Sequence, residues 1–329
     1  MWYEAGIEGA KIGQVARRAM KYPVNVSVVI PAFNAADTIA RALDSVLIQT
    51  YPASEIIVVD DCSSDETRAI VERYAAKGVR LLASPERRGA SGARNAGIAA
   101  AKGEAVAFLD SDDEWLNPKL EMQVALLTSS PKIAFVACGS NLISPEGVDL
   151  GDIYRCHPVT TGPEAWKALL AFNFITTPAV LAWRDRILAA GGFDEKLKIG
   201  EDQDLWIRLS QTGELGYVRR SLVRVHARHN SLSAEKKSDP MTYTLPMIRR
   251  HVAAARGRLS LIEARWIMGK RLGLLGRVAY AQGDYRNGLR LIGRSITLGY
   301  QPLGSLYYMA SASPPAVWLK QRLRIGKPW

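Results

Sequence analysis

Cysteine is scarce: three residues in 329, at positions 62, 138 and 156, none in CxxC spacing. An odd number without metal-ligand spacing argues against both a disulfide framework and a thiolate metal site. Long apolar runs are also missing. No stretch approaches the ~18 uninterrupted apolar residues that a membrane-spanning helix requires. The opening MWYEAGIEGAKIGQVARRAMKYPVN lacks the continuous apolar core of a signal peptide, so the expected location is the cytoplasm. Histidine occurs only four times, and no Ser-His-Asp constellation is evident. Acidic residues are scarce in one region alone. Residues 235–329 hold 17 Lys+Arg against 4 Asp+Glu, a net of +13, within a chain of 43 and 32, a net of +11. The first 234 residues therefore carry 26 basic and 28 acidic residues, a net of −2. The whole basic excess lies in the last third, which marks a boundary and points to an anionic partner.

What is present, from about residue 25, is an alternation of strand-like and helix-like segments. VSVVIPAF (26–33), EIIVVDD (55–61), VRLLAS (79–84) and EAVAFLD (104–110) read as buried strands. ADTIARALDSVLIQT (36–50), SSDETRAIVERYAAKG (63–78) and GARNAGIAAAKG (92–103) read as the helices between them. Continuous apolar strands separated by helices predict an α/β fold with a mostly parallel central sheet and helices on both faces. Later segments are less regular. Helices are expected over 117–129 and 201–213 and throughout the region after about 243, and a strand over 133–144. Residues 276–300 have the small and aromatic residues of one helical hairpin, without a second copy. Three regions follow: an N-terminal extension over 1–24, a catalytic domain over 25–235 and a basic helical region over 236–329.

Ligands of such sheets bind beyond the carboxyl ends of the strands. Pro31–Asn34, Asp60–Asp61 and Asp110–Asp113 all fall there. In AFLDSDDEW (107–115), Asp110 and Asp112 share one side if the strand continues, a hard oxygen pair suited to Mg²⁺ or Mn²⁺ with substrate phosphates. The same letters also fit a helix start, with Ser111 or Asp112 as cap, and Glu114 reads as part of that start. In VVDDCSSDET (58–67), Asp61, with Asp60 beside it, suits a base or ribose edge, and Ser63, Ser64 and Asp65 can cap the next helix. RRGASGARNAGIAAAKG (87–103) places glycines and Arg94 where backbone N–H groups and a guanidinium could hold phosphate. Its small residues serve close helix–sheet packing equally well. GGFDEKLKIGEDQDLWIRL (191–209) offers Glu201, Asp202 and Asp204, either as a charged helix start or with one carboxylate as general base.

Taken together, in this order and spacing, these motifs resemble the family 2 glycosyltransferases of the GT-A fold, over roughly residues 25–235. The resemblance implies an inverting transferase that uses a nucleotide-diphospho-sugar and a divalent metal, Mn²⁺ or Mg²⁺. It implies Pro31, Phe33, Asn34 and Asp61 around the nucleoside and Arg94 at the donor. DSD would be the metal-binding motif, with Asp112 a direct ligand and Asp110 near the ribose and the metal. Asp202 would be the catalytic base. His226 and His229 lie where family members often place a histidine near the site, with His229 a candidate metal ligand, and a structural or surface role is the competing reading for both.

Processive members carry spanning helices and a Q-x-x-R-W motif. Here IEARW (262–266) has Ile262 in place of Gln, so a single-addition enzyme is expected. Such members build exopolysaccharide or lipopolysaccharide on lipid-linked glycan acceptors at the cytoplasmic face of the inner membrane. The basic tail, with Leu, Ile, Trp and Met among its Arg and Lys, suits an anionic membrane surface. Packing on the catalytic domain is the competing reading, and no nucleic-acid motif is present. Two other functions fit the acids less well: a nucleotidyltransferase, which needs no base at Asp202, and a non-catalytic glycan- or lipid-binding protein.

Overall fold

The apolar runs end at one edge because they pair in parallel. In the computed structural model, which describes residues 24–155, 157–227 and 241–300, β1 (Val26–Ala32) pairs in parallel with β2 (Glu55–Asp60). β3 (Val79–Ala83) lies beyond β2, and β4 (Ala105–Phe108) lies on the other side of β1, both parallel. The connecting helices are α1 (Ile39–Leu47), α2 (Thr67–Glu72) and α3 (Gly89–Ala100). The chain continues through β5 (Glu114–Trp115), α4 (Lys119–Leu127), β6 (Ile133–Ile143), β7 (Asp149–Asp152), α5 (Ala165–Ala171), β8 (Leu181–Trp183), α6 (Arg184–Ala189), α7 (Glu201–Thr212) and β9 (Glu214–His226). After these come α8 (Thr244–Ala254), α9 (Leu261–Ala281) and α10 (Tyr285–Thr297).

The described strands form one sheet in the order β3-β2-β1-β4-β8-β6-β9-β5, with β7 on β6. β8 runs against both β4 and β6, and β6 runs with β9. β6 and β9 therefore point the same way as β1 to β4, and only β5, β7 and β8 oppose them. The α/β sheet is therefore mixed, parallel from β3 to β4 as the alternation predicts and with antiparallel pairings beyond β4. Its consequence is that the last residue of β9, His226, reaches the same edge as Asp60 and Asp110.

Burial explains why these segments are strands. Val26, Val28, Val29 and Ile30 of β1 and Ile57, Val58 and Val59 of β2 are fully buried, as a sheet covered on both faces requires. α1 turns Ile39, Ala42, Leu43 and Val46 onto that core. α3 comes closer still. A Cβ on Gly97 would overlap the Val29 side chain of β1, so glycine there lets the helix lie against the sheet. Gly97→Val is expected to lower stability by about 2 kcal/mol or more, the usual cost of overpacking. Thermal unfolding in the absence of ligand measures it.

The chain divides into two compact units, Met1–Leu169 with Asn173–Ser238, and Leu170–Phe172 with Asp239–Trp329. Within the second, Gly269, Gly273 and Gly276 of α9 meet Tyr300, Ser295 and Ile292, so α9 and α10 form a close hairpin. Leu245, Leu272 and Leu291 make its small core. Most of the expected 1–24 extension, Cys156, His229 and the tail after 300 lie outside the described residues.

Candidate active site

The loops that follow β1 and β2 are fastened to each other. Asn34 adopts a positive φ of 47°, a conformation Asn tolerates. Its N–H donates to Ser63 Oγ, and its side-chain oxygen accepts from the Ser64 N–H, both at 2.9 Å. The Ala36 N–H donates to Asp65 Oδ2 at 3.0 Å, which gives Asp65 a structural task. Pro31, in register with Val59, and the exposed Phe33 complete this rim. The Arg87 guanidinium sits 3.7 Å above the centre of the Phe33 ring.

The two acids that end β2 take different partners. Asp60 is fully buried, and Arg68 Nε donates to its Oδ2 at 2.6 Å. Asp61, 3% exposed, accepts the N–H groups of Arg88 (2.7 Å) and Gly89 (2.8 Å), one on each oxygen. It thus caps α3, which explains why this helix begins at Gly89 rather than at Gly92. Each carboxylate oxygen retains a second lone pair for a donor. Gly97, pressed on Val29, serves the packing reading.

α3 also carries Arg94, 5% exposed. Its Nη2 donates to Asp110 Oδ1 at 2.7 Å and its Nη1 to Glu201 Oε1 at 3.1 Å. Burial opposes its charge, but Asp110, Glu201 and Asp202 together hold the guanidinium more firmly protonated than usual. Arg94, the side chain expected at the donor, joins the loop after β4 to the start of α7. Asn95, next on the helix, clamps the Phe193 backbone from both sides, accepting from its N–H (2.8 Å) and donating to its carbonyl (2.9 Å).

The acids after β4 form a turn, closed by the Asp113 N–H on the Asp110 carbonyl at 3.1 Å. The helix-start reading of DSDDEW fails here, because α4 begins only at Lys119. Glu114 opens β5 instead, paired with Arg224 at 2.9 Å. Trp115 beside it is 2% exposed and donates its Nε1 to the Pro178 carbonyl, and 114–115 pair with Arg224 and Val223 of β9. Arg41 of α1 donates to the backbone carbonyl of Asp112. Asp113 is 4% exposed and accepts the His226 N–H at 3.0 Å. Burial, with the charges of Asp110 and Asp112, pushes its carboxyl well above the usual range. Burial and the Arg41 charge hold the His226 imidazole below its ordinary value.

GEDQD separates in the same way. Gly200, at φ 81°, turns the chain into α7. Asp202 Oδ2 accepts Asn173 Nδ2 at 3.0 Å, and its Oδ1 accepts the Gln203 N–H at 2.6 Å. Burial first and the neighbouring Glu201 charge second push the Asp202 carboxyl up to about 7. Asp204 is 1% exposed and pairs with Arg208, so its role is structural. Trp206 fixes the helix from below, its ring centre 5.9 Å from Phe135 and 6.0 Å from Phe193.

Sequence reasoning missed Arg41, Asn95, Asn173 and Tyr154, whose hydroxyl burial and the Asp202 charge push up. Only Asn95 left a signal, as a poor helix former inside a helix. For a metal, the residues present offer Asp110 and Asp112 and enough mutual repulsion to raise Asp113. Among the described residues no three Asp, Glu, His or Cys side chains converge into a cage. Two carboxylates with the rest of the shell from phosphate and water is the pattern Mg²⁺ and Mn²⁺ accept, so the donor set fits.

Comparison with known proteins places this edge in a family. Residues 27–147 match Glycosyl transferase family 2. A Bacillus subtilis protein whose name assigns it to teichuronic acid biosynthesis, the glycosyltransferase TuaG, is 33% identical over 247 residues, covering 73% of this chain and 92% of the relative. The succinoglycan biosynthesis protein ExoO of Rhizobium meliloti is 52% identical over 226 residues, 65% of this chain and 64% of the relative. The Escherichia coli UDP-Glc:alpha-D-GlcNAc-diphosphoundecaprenol beta-1,3-glucosyltransferase WfgD is 40% identical over 123 residues, 37% of this chain and 48% of the relative. Residues 1–349 of Staphylococcus aureus TarS, solved with UDP-GlcNAc, share the fold at a TM-score of 0.64, with 19% identity and 93% of each chain covered. With the acids of three strand ends and of α7 gathered at one sheet edge, and with a relative matched over nearly its whole length, the chain belongs to the family 2 glycosyltransferases.

Proposed function

We propose that this protein is an inverting, single-addition glycosyltransferase of polysaccharide biosynthesis, moving a sugar from a nucleotide-diphospho-sugar to a hydroxyl of a lipid-linked glycan. The observation that carries the reading is the pair of sites joined by Arg94. On one side lie the Asp110 and Asp112 carboxylates. On the other lies Asp202, with a carboxyl at about 7, poised to take a proton near neutral pH. Asp202 accepts the proton of the acceptor hydroxyl as that oxygen bonds to the anomeric carbon, while the bond from that carbon to the diphosphate oxygen breaks on the opposite face. One displacement inverts the centre and needs no covalent enzyme intermediate. Pro31, Phe33, Asn34 and Asp61 line the nucleoside end. A divalent cation, Mg²⁺ or Mn²⁺, would be held by Asp112 with Asp110 alongside, and its charge would neutralise the departing diphosphate. His229 is the proposed third ligand.

The lipid-linked acceptor is supported by the activity in the name of WfgD, and the polysaccharide pathway by the names of TuaG and ExoO. Single addition is supported by Ile262 in IEARW, and no described helix is long and apolar enough to cross a membrane. Such an acceptor places the work at the cytoplasmic face of the inner membrane.

The test is a panel of nucleotide-sugars with and without Mn²⁺, read as thermal stabilisation and as release of nucleoside diphosphate. One nucleotide series is expected to stabilise the protein only with metal, and one sugar of that series to be hydrolysed. Stabilisation by no nucleoside diphosphate would favour the non-catalytic binding protein. Formation of nucleotide-sugar from a sugar phosphate and a nucleoside triphosphate would favour the nucleotidyltransferase.

A further inference from the structure

The second unit carries exposed charge and exposed apolar surface. Residues 241–300 hold 11 Arg+Lys and 2 Asp+Glu. Both acids are engaged at helix starts, Glu263 in the capping box with Ser260 and Asp284 on the Asn287 N–H. At the first turn of α9, Leu261 and Ile262 are 84% and 81% exposed, more than any other large apolar residue described. Leucine and isoleucine are normally among the most buried residue types. The capping box fixes that turn, with the Ser260 N–H on Glu263 Oε2 at 2.8 Å and the Glu263 N–H on Ser260 Oγ at 3.2 Å, so the two side chains are presented by an ordered helix end. One turn on, Trp266 is 44% exposed, edge-on to Tyr300 and 5.2 Å from Lys270 Nζ. Arg256, in the loop before α9, and Arg265, beside Trp266, are exposed as well.

We propose that this end of α9 is the membrane-inserting edge of the protein, and that its partner is an anionic phospholipid surface. Leu261 and Ile262 enter the boundary of the acyl chains and Trp266 lies at headgroup level, while Arg256, Arg265 and Lys270 meet lipid phosphates. The charge is complementary to such a surface, and each basic residue near it is worth about fivefold in binding. Nucleic acid would use the arginines but has no place for two exposed aliphatic side chains. The inference deepens the reading of a lipid-linked acceptor and rests on it, because it names how the chain reaches that acceptor's surface.

The experiment is co-sedimentation of the full-length chain with phosphatidylcholine vesicles, with and without phosphatidylglycerol, at low and high salt. The expected result is binding only when phosphatidylglycerol is present, weakened by salt. The double variant Leu261→Ser, Ile262→Ser is expected to bind at least about tenfold more weakly, since it removes two buried side chains from the bound state. Both positions face solvent, so its unfolding temperature and its metal-dependent nucleotide-sugar hydrolysis stay at wild-type values. No binding to phosphatidylglycerol vesicles, equal binding by the double variant, or equally tight binding to duplex DNA would each overturn the proposal. Hydrolysis without vesicle binding overturns the docking alone. Vesicle binding without hydrolysis overturns the transferase reading instead.

Discussion

Asp202→Asn is expected to lower sugar transfer by about 10³-fold while nucleotide-sugar affinity changes by less than about twofold, since general-base catalysis is worth about 10²–10⁴. The substitution keeps the size of the side chain and one oxygen for Asn173 Nδ2, and it removes the proton acceptor together with the acceptor of the Gln203 N–H, one hydrogen bond at the helix start. The wild-type pH profile carries an independent sign. Burial and Glu201 raise the Asp202 carboxyl from 3.8 to about 7, against the hydrogen bonds from the Gln203 N–H and Asn173 and the charge of Arg94. In the proposed base role the reacting form is the carboxylate, so kcat/KM should fall about tenfold per pH unit below about 7 and level off above it. Stability has the opposite sign. The folded carboxyl holds its proton more tightly than the unfolded one, so ionising it opposes folding, progressively from the unfolded value up to about 7. The Asn variant should therefore melt no lower than wild type in alkaline solution, where it is inactive. Full transfer by the Asn variant, or an acid limb that it retains, would remove Asp202 from the base role.

Strands β1, β2 and β4 were legible because each is an apolar run bounded by polar residues, and burial on both faces leaves no alternation to read. β9 was not, because its charged residues at 219, 220 and 224 face solvent and break the apolar signal. Without β9, the apolar pattern could not set His226 beside Asp113, and only the family resemblance put it near the site. The same limit governs the acids. Asp60 and Asp61 are neighbours with identical letters, yet Arg68 fixes one and the start of α3 takes the other. Glu114 follows three other acids, yet it opens β5 and pairs with Arg224. Composition shows that the acids collect, and only tertiary contacts show which of them already have a cation.

Arg94 is the sharpest case. Its carboxylate partners lie 16 and 107 residues away, so a reading of its own motif sees glycines and arginines and infers phosphate. Its expected role is to position Asp110 and to tune Asp202. Arg94→Met should destabilise the protein by about 3–5 kcal/mol, because it leaves partly buried carboxylates without their cation. Transfer at neutral pH should fall about 10²-fold, the cost of displacing groups that must be held in place. Destabilisation alone would lower the amount of active enzyme and leave the profile of what remains unmoved. The tuning role predicts more. Arg94 lowers the Asp202 carboxyl and Glu201 raises it, so the two substitutions act in opposite directions. Arg94→Met should move the acid limb of kcat/KM to higher pH, and Glu201→Gln should move it to lower pH. Tyr154 faces the same carboxyl but stays neutral across this range, so Tyr154→Phe should leave the limb nearly where it is. Shifts in the same direction for the Arg94 and Glu201 variants, or none in either, would reduce Arg94 to a packing residue. Opposite shifts would mean that one buried guanidinium sets both where the donor's acids stand and the pH at which the base can act.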